Sequence, residues 1–185
     1  TSISRKEFEE ATLDVLDQLS GYAARLTRGK GAEDLVQETV LKALRARKQY
    51  RTGTNFRAWI FKIMTNLFID TYRKKDRTPQ QVPLDSVFDL SAPESLEEIE
   101  EVTDASVLEK LLPDEILRAF ESLQPAHRVT VLLRDLGGFS YKEIAEIVGC
   151  PIGTVMSRLH YARNELKKLL RAHAESEGYL RSGEE

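Results

Sequence analysis

The 185-residue chain has one cysteine, Cys150, so no internal disulfide can staple it and a reducing cytoplasm suits it. Its three histidines, His127, His160 and His173, are scattered, with none of the His/Cys spacing that holds zinc. No apolar run approaches the roughly 18 residues of a membrane span. The N-terminal TSISRKEFEE lacks the apolar core of a signal peptide. A cytoplasmic protein without membrane insertion is expected. No Gly-rich phosphate cradle is present and no His/Asp/Glu set converges on one predicted surface, so neither an enzyme nor a cofactor is expected. With 10 glycines and 6 prolines the chain is neither collagen-like nor low-complexity. Its length permits one ordinary domain or two small ones.

A strong charge of one sign is also missing. The formal net charge is −3, which taken whole argues against a nucleic-acid binder. Its distribution reverses that inference. Residues 1–78 carry a net of +6, residues 79–117 a net of −10, residues 118–173 a net of +4 and residues 174–185 a net of −3. Two basic segments flank an acidic one, and the block Glu97–Glu101 in a Pro/Ser-bearing stretch reads as a solvated linker.

Alternating strand patterns are absent too, and the expected fold class is all-α. Residues 33–48 follow Gly31, open with Glu33 and Asp34 and close with Arg45, Arg47 and Lys48, the polarity that the helix dipole favours. Val36, Val40, Ala43 and Leu44 are expected to line the buried face of this helix. From Phe56 to Tyr72 the set Ile60, Ile63, Met64, Leu67 and Phe68 repeats at helical spacing. Pro79 and Pro83 would end that segment. Two further helices are expected near Pro113–Leu123 and Pro125–Leu136, the second with Ala126, Val129, Leu132, Leu133 and Leu136 in a 3.6-residue period.

The stretch from Ser140 to Leu170 is the most informative. Ser140-Tyr141-Lys142-Glu143 forms a capping box. Ile144, Ala145, Ile147 and Val148 make a two-turn helix, Gly149 stops it, and Pro151 stands where a second helix begins. That second helix carries Val155, Leu159, Ala162, Leu166 and Leu169 on one face. Two helices joined by so tight a turn read as a helix-turn-helix. The opposite face offers Thr154, Ser157, Arg158, Tyr161, Asn164, Lys167 and Lys168, side chains able to reach base edges and phosphates in a major groove. The segment Asn55–Lys75 mixes Phe56, Trp59, Phe61, Phe68 and Tyr72 with Arg57, Lys62, Arg73, Lys74 and Lys75. Aromatics interleaved with cations suit single-stranded nucleic acid. Trp59, Ile60 and Ile63 are expected in the core; Phe61, Thr65, Phe68 and Tyr72 form a neighbouring stripe expected to be partly exposed. Cys150 reads as a small packing residue of the turn.

The segments DLVQETVLKAL (Asp34–Leu44), NFRAWIFKIMTNLFIDTYRK (Asn55–Lys74) and GFSYKEIAEIVGCPIGTVMSRLHYAR (Gly138–Arg163), in that order, resemble extracytoplasmic-function (ECF) sigma factors of bacterial RNA polymerase. TNLFIDTYRKKDR and GTVMSRLH are most similar to the thiol-oxidative-stress branch. The resemblance implies two small helical domains: sigma region 2 over 1–78 and sigma region 4 over 113–174. An acidic linker over 79–112 would join them, with a tail at 175–185. It implies that Asp34, Gln37, Glu38 and Leu41 bind core RNA polymerase at the clamp coiled coil. Asn66 would capture a flipped base of the minus-ten element, whose unstacking costs a few kcal/mol. Phe61 and Lys62 would bind around it, Arg73, Lys74, Lys75 and Arg77 would hold the backbone, and the loop Gln49–Thr54 would lie near the pocket. Thr154, Met156, Ser157, Arg158, His160, Tyr161 and Arg163 would read or anchor the minus-thirty-five element. Met156 and Tyr161 stand where the family often has Arg, and a missing bidentate Arg–guanine pair changes discrimination by roughly 1–3 kcal/mol. Core polymerase, promoter DNA and an anti-sigma factor are the implied partners. The competing reading is a stand-alone helix-turn-helix regulator of duplex operator DNA.

Overall fold

A computed structural model describes residues 3–75 and 113–176. Seven α-helices form among them: α1 (Arg5–Thr27), α2 (Ala32–Ala46), α3 (Phe56–Lys75), α4 (Pro113–Ser122), α5 (Pro125–Val131), α6 (Tyr141–Val148) and α7 (Ile152–Ser176). A 3-10 turn, Arg47–Gln49, follows α2, and a π-turn, Leu132–Leu136, extends α5. No β-strand forms among the described residues. The all-α expectation holds. Pro79, Pro83 and the acidic run Glu97–Glu101 lie outside the described residues, as does Arg77.

The first unit packs α2 and α3 against α1. Ser4 starts α1 with a capping box: its hydroxyl accepts from the Glu7 amide at 3.2 Å, and its own amide donates to Glu7 Oε2 at 2.9 Å. Phe8, Val15, Leu19, Ala23 and Leu26 line the buried face of α1. On α2 the buried line is Leu35, Thr39 and Ala43, with Val36, Val40 and Leu44 half-buried at its flank. That corrects the expected face by part of a turn. Thr39 adds no polar debt in this position, because its hydroxyl donates to the Leu35 carbonyl at 2.7 Å. At the base of the unit the rings of Phe8, Tyr50, Phe56 and Trp59 cluster with centroids 5.2 to 5.7 Å apart. Trp59 is half-buried rather than fully buried.

The second unit wraps α4, α5 and α6 around α7. Val155, Leu159, Ala162, Leu166, Leu170 and Ala174 are buried along α7, while Leu169 is 37% exposed. The core stripe therefore continues through Leu170, one residue beyond the expected Leu169. The π-turn adds a residue to the last turn of α5, with the Gly137 amide bonded to the Leu132 carbonyl at 2.9 Å. Such an insertion breaks the 3.6 period, and Leu136, expected inside, is 51% exposed. Gly137 has no room for a side chain: a Cβ would stand 2.5 Å from the Leu133 carbonyl oxygen and 2.7 Å from the Phe139 ring.

The two units share one continuous apolar core. Their contact runs chiefly along α3 and α6, with α1 meeting α4 and α5.

Candidate nucleic-acid interface

The helix-turn-helix forms as its local chemistry dictates. The Ser140 hydroxyl accepts from the Glu143 amide at 3.2 Å, and the Ser140 amide donates to Glu143 Oε2 at 2.8 Å. These bonds, the Ser140 amide foremost, hold the Glu143 carboxyl below its usual range. Gly149 adopts φ 73°, and its amide closes α6 on the Ala145 carbonyl. The Pro151 carbonyl then accepts from the Thr154 and Val155 amides at 3.0 and 3.2 Å and opens α7. Cys150 is half-buried against the core and lies 4.0 Å from Arg158 Nη1.

Along α7 the expected promoter-facing side chains divide. Thr154, Met156, Ser157, His160, Tyr161 and Arg163 are half-buried. The Ser157 hydroxyl donates back to the Gly153 carbonyl at 3.0 Å. Tyr161 is held between His127, stacked with ring centroids 6.4 Å apart, and His160, edge-on at 5.6 Å. Asn164 Nδ2 lies 3.0 Å from His160 Nε2. Arg163 Nη2 donates to Asp135 Oδ1 at 2.8 Å, so a π-turn carboxylate fixes its guanidinium. Arg158, expected on the open face, is only 5% exposed. It borders a small pocket that Ile69 and Tyr72 of α3 share with Ala126 and Val129, which sets it apart from the other six.

On α3, Lys62, Asn66, Arg73 and Lys74 are exposed. Lys62, Asn66 and Arg73 are spaced by 4 and 7 residues, which places them on one helical face. Lys75 belongs to the last turn of α3. The neighbouring stripe departs from expectation. Phe61 is 1% exposed, Thr65 and Phe68 are buried, and only Tyr72 is open, at 39%. Thr65 is covered by α1, its Oγ1 lying 3.0 Å from the Tyr22 hydroxyl. Phe61 is covered by Tyr22 of α1, with ring centroids 5.2 Å apart, and by Phe139 of the second unit at 5.1 Å.

On α2, Asp34, Gln37, Glu38 and Leu41 are all exposed, with Leu41 at 52%. Spacings of 3, 4 and 7 put them on one face, an apolar residue beside two carboxylates. Asp34 and Glu38 also border a cleft floored by Leu26, Leu35, Phe68 and Tyr72. Among the described residues no group of three His, Cys, Asp or Glu side chains could hold a metal ion, and no helix is long and apolar enough to cross a membrane.

Sequence reasoning missed the residues that join the units. Arg57 donates to the Gly137 carbonyl and, through Nε, to Gln18 Oε1 at 2.6 Å. Its guanidinium sits 4.1 Å from the centroid of the Phe139 ring. Arg128, 4% exposed, donates to the carbonyls of Phe120, Leu26, Glu121 and Leu123. No local signal marks these pairings, whose members lie about 80 to 100 residues apart where they cross between units.

The sigma-70 region 2 family profile matches residues 13–78, and the sigma-70 region 4 profile matches residues 114–166. The EcfG ECF sigma factor of Rhodopseudomonas palustris is 36% identical over 152 residues, covering 82% of this chain and 75% of that protein. The sigma-E factor of Escherichia coli K12 is 30% identical over 173 residues, covering 90% of each. This chain belongs to the ECF sigma factors.

The ECF sigma factor SigE of Mycolicibacterium smegmatis is 32% identical over 171 residues; the match covers 90% of this chain and 63% of that longer relative. Among solved structures, the sigma factor RpoE of Bartonella quintana, crystallised with the anti-sigma factor NepR, superposes with a TM-score of 0.69 at 34% identity. That match covers 90% of this chain and 98% of that one. CnrH, solved with the cytosolic domain of CnrY, shares the fold at a TM-score of 0.64 and 22% identity, covering 91% and 90% of the two chains.

Proposed function

We propose that this ECF sigma factor binds bacterial core RNA polymerase and directs promoter recognition, melting and initiation, with no chemistry of its own. The observation that carries this reading is the pairing in one chain of an exposed Lys62–Asn66–Arg73 face with a separate helix-turn-helix. A stand-alone regulator has no use for the first.

In this reading residues 1–78 act as region 2, 79–112 as the linker, 113–174 as region 4 and 175–185 as a tail. Asp34, Gln37, Glu38 and Leu41 form the polymerase contact, where two carboxylates can pair with clamp cations around an apolar centre. Asn66 holds the flipped minus-ten base through its amide, and Lys62, Arg73, Lys74 and Lys75 hold the backbone. Phe61 joins them once uncovered. Thr154, Met156, Ser157, His160 and Tyr161 read the minus-thirty-five element, with Arg158 and Arg163 acting as anchors of α7. An anti-sigma factor is the partner that masks the protein, and the cytoplasm is its place of action.

The wording TNLFIDTYRKKDR and GTVMSRLH supports the thiol-oxidative-stress branch. Induction of its transcripts by a disulfide-forming oxidant tests that assignment. The function itself is tested by reconstitution: core polymerase plus this protein initiates at defined genomic promoters. Failure with several bacterial core enzymes, or tight duplex binding by the protein alone, would favour the regulator.

A further inference from the structure

Several of the α7 side chains proposed to meet the minus-thirty-five element spend polar atoms inside the protein. The Ser157 hydroxyl donates to the Gly153 carbonyl at 3.0 Å, and Arg163 donates to Asp135 Oδ1 at 2.8 Å. His160 Nε2 lies 3.0 Å from Asn164 Nδ2. Tyr161 is different. Its hydroxyl makes no hydrogen bond to any of the described residues, and its ring pairs with two histidines. His127 of α5 lies nearly parallel to it, with 21° between the planes and 6.4 Å between centroids. His160 meets it edge-on, at 79° and 5.6 Å. Offset-parallel and edge-on pairings are the ones aromatic rings prefer.

His127 is 7% exposed. It belongs to a helix that ends before the helix-turn-helix begins, and at that depth it cannot reach a base itself. Residues Ala126 to Val131 of α5 are all buried, and α5 packs along α7. The helix that carries His127 is thus a firm backing for the Tyr161 ring. A tyrosine without such backing samples several staggered χ1 wells, and ordering one side chain on binding lowers affinity by roughly two- to tenfold. Tyr161 offers one donor and one acceptor, without the fork by which Arg holds guanine. A single-point contact of this kind tells bases apart only when its direction is fixed in advance.

We infer that His127 is a positioning residue for minus-thirty-five recognition: from α5, outside the helix-turn-helix, it fixes the Tyr161 ring so that the hydroxyl reads one base pair. This deepens the sigma reading of the preceding section and rests on it. A ring that merely filled the core would, once removed, weaken every promoter alike. A ring that aims Tyr161 governs one base pair and no other.

The test uses the full chain assembled with core polymerase. The parent template is a genomic promoter that the wild-type holoenzyme transcribes, and each altered copy changes one base pair of the minus-thirty-five element. Parent and copy compete in one reaction, so a smaller folded fraction cancels from the ratio of their transcripts. Tyr161→Ala locates the base pair: the wild-type preference there, about fivefold or more for one base contact, should fall to about one. His127→Gln removes the ring and should flatten the same base pair while leaving the other ratios at their wild-type values. His127→Phe keeps a ring in the stack and should retain about half of the preference or more. Adding His127→Gln to Tyr161→Ala should change the ratios no further. Unchanged ratios in His127→Gln, an equal loss at every base pair, or a His127→Phe protein as flat as His127→Gln overturns the positioning role. So does a Tyr161→Ala protein that keeps every preference. Wild-type protein that initiates nowhere with several core enzymes overturns the sigma reading instead.

Discussion

Replacing Arg128 should cost more than any other single charge removal in the second unit. Its guanidinium reaches four carbonyls: Glu121 at 2.7 Å, Leu123 at 2.9 Å, and Phe120 and Leu26 at 3.1 Å. Three of these lie at or just past the end of α4 and one near the end of α1, where helical carbonyls run short of partners in their own helix; Phe120 keeps the Leu123 amide at 3.2 Å. Charge-assisted bonds counted separately at about 1.5–3 kcal/mol each would sum to an unreasonable 6–12 kcal/mol. Water enters the vacated space and recovers much of that, leaving about 1 kcal/mol per carbonyl and about 4 kcal/mol in total. A domain stable by 5–15 kcal/mol would lose a large share. Arg128→Met separates the causes, since it keeps an apolar stem and removes every donor. Arg128→Lys offers a compact point charge that cannot span four acceptors and should restore less than half. Urea unfolding followed by far-UV circular dichroism measures each difference. Because the group is 4% exposed, the loss should persist in 1 M salt. An Arg128→Met protein within about 1 kcal/mol of wild type would refute the reasoning.

Ser140→Ala should cost about 1 kcal/mol by removing the cap of α6, read from the shift in urea midpoint. Glu143 has a depressed folded pKa, so its stabilisation is present above the unfolded carboxylate value and fades as pH falls through the folded one; Glu143→Gln should flatten the stability profile there. His127 is pushed below its usual value by burial and then by Arg158, so stability should decline as pH drops below the unfolded histidine value, and His127→Gln should abolish that decline. Asp135 and Arg163 should show a coupling of at most about 1 kcal/mol in a double-mutant cycle, given the half-exposed carboxylate. Lys62→Ala should lower the salt slope of binding to a minus-ten single strand by roughly 0.7, whereas Asn66→Ala should weaken only oligonucleotides carrying the captured base.

What the sequence made legible follows from the range of each interaction. The Ser140 capping box, the Gly149 stop and the α7 stripe from Val155 to Leu166 are decided by residues a few positions apart, and each stands in the structure as read. Ser4 and Glu7 carry the same signal at the start of α1. Asp34, Gln37, Glu38 and Leu41 of α2, proposed to meet polymerase, share one exposed face, as helical spacing requires. Leu136 was misplaced because a single π-turn shifts the phase of everything after it. Phe61 is misplaced for a different reason: the rings that cover it, Tyr22 and Phe139, stand 39 and 78 residues away, and periodicity carries no information about such partners.

That separation has a consequence in time as well as in space. A ribosome adding about 5–20 residues per second needs roughly 4–16 s to pass from Phe61 to Phe139. For that interval Phe61 can have Tyr22 against it, while Phe139 has not been made. The side of Phe61 that Phe139 covers is thus open before the second unit exists to close it, a window in which another protein can reach it first.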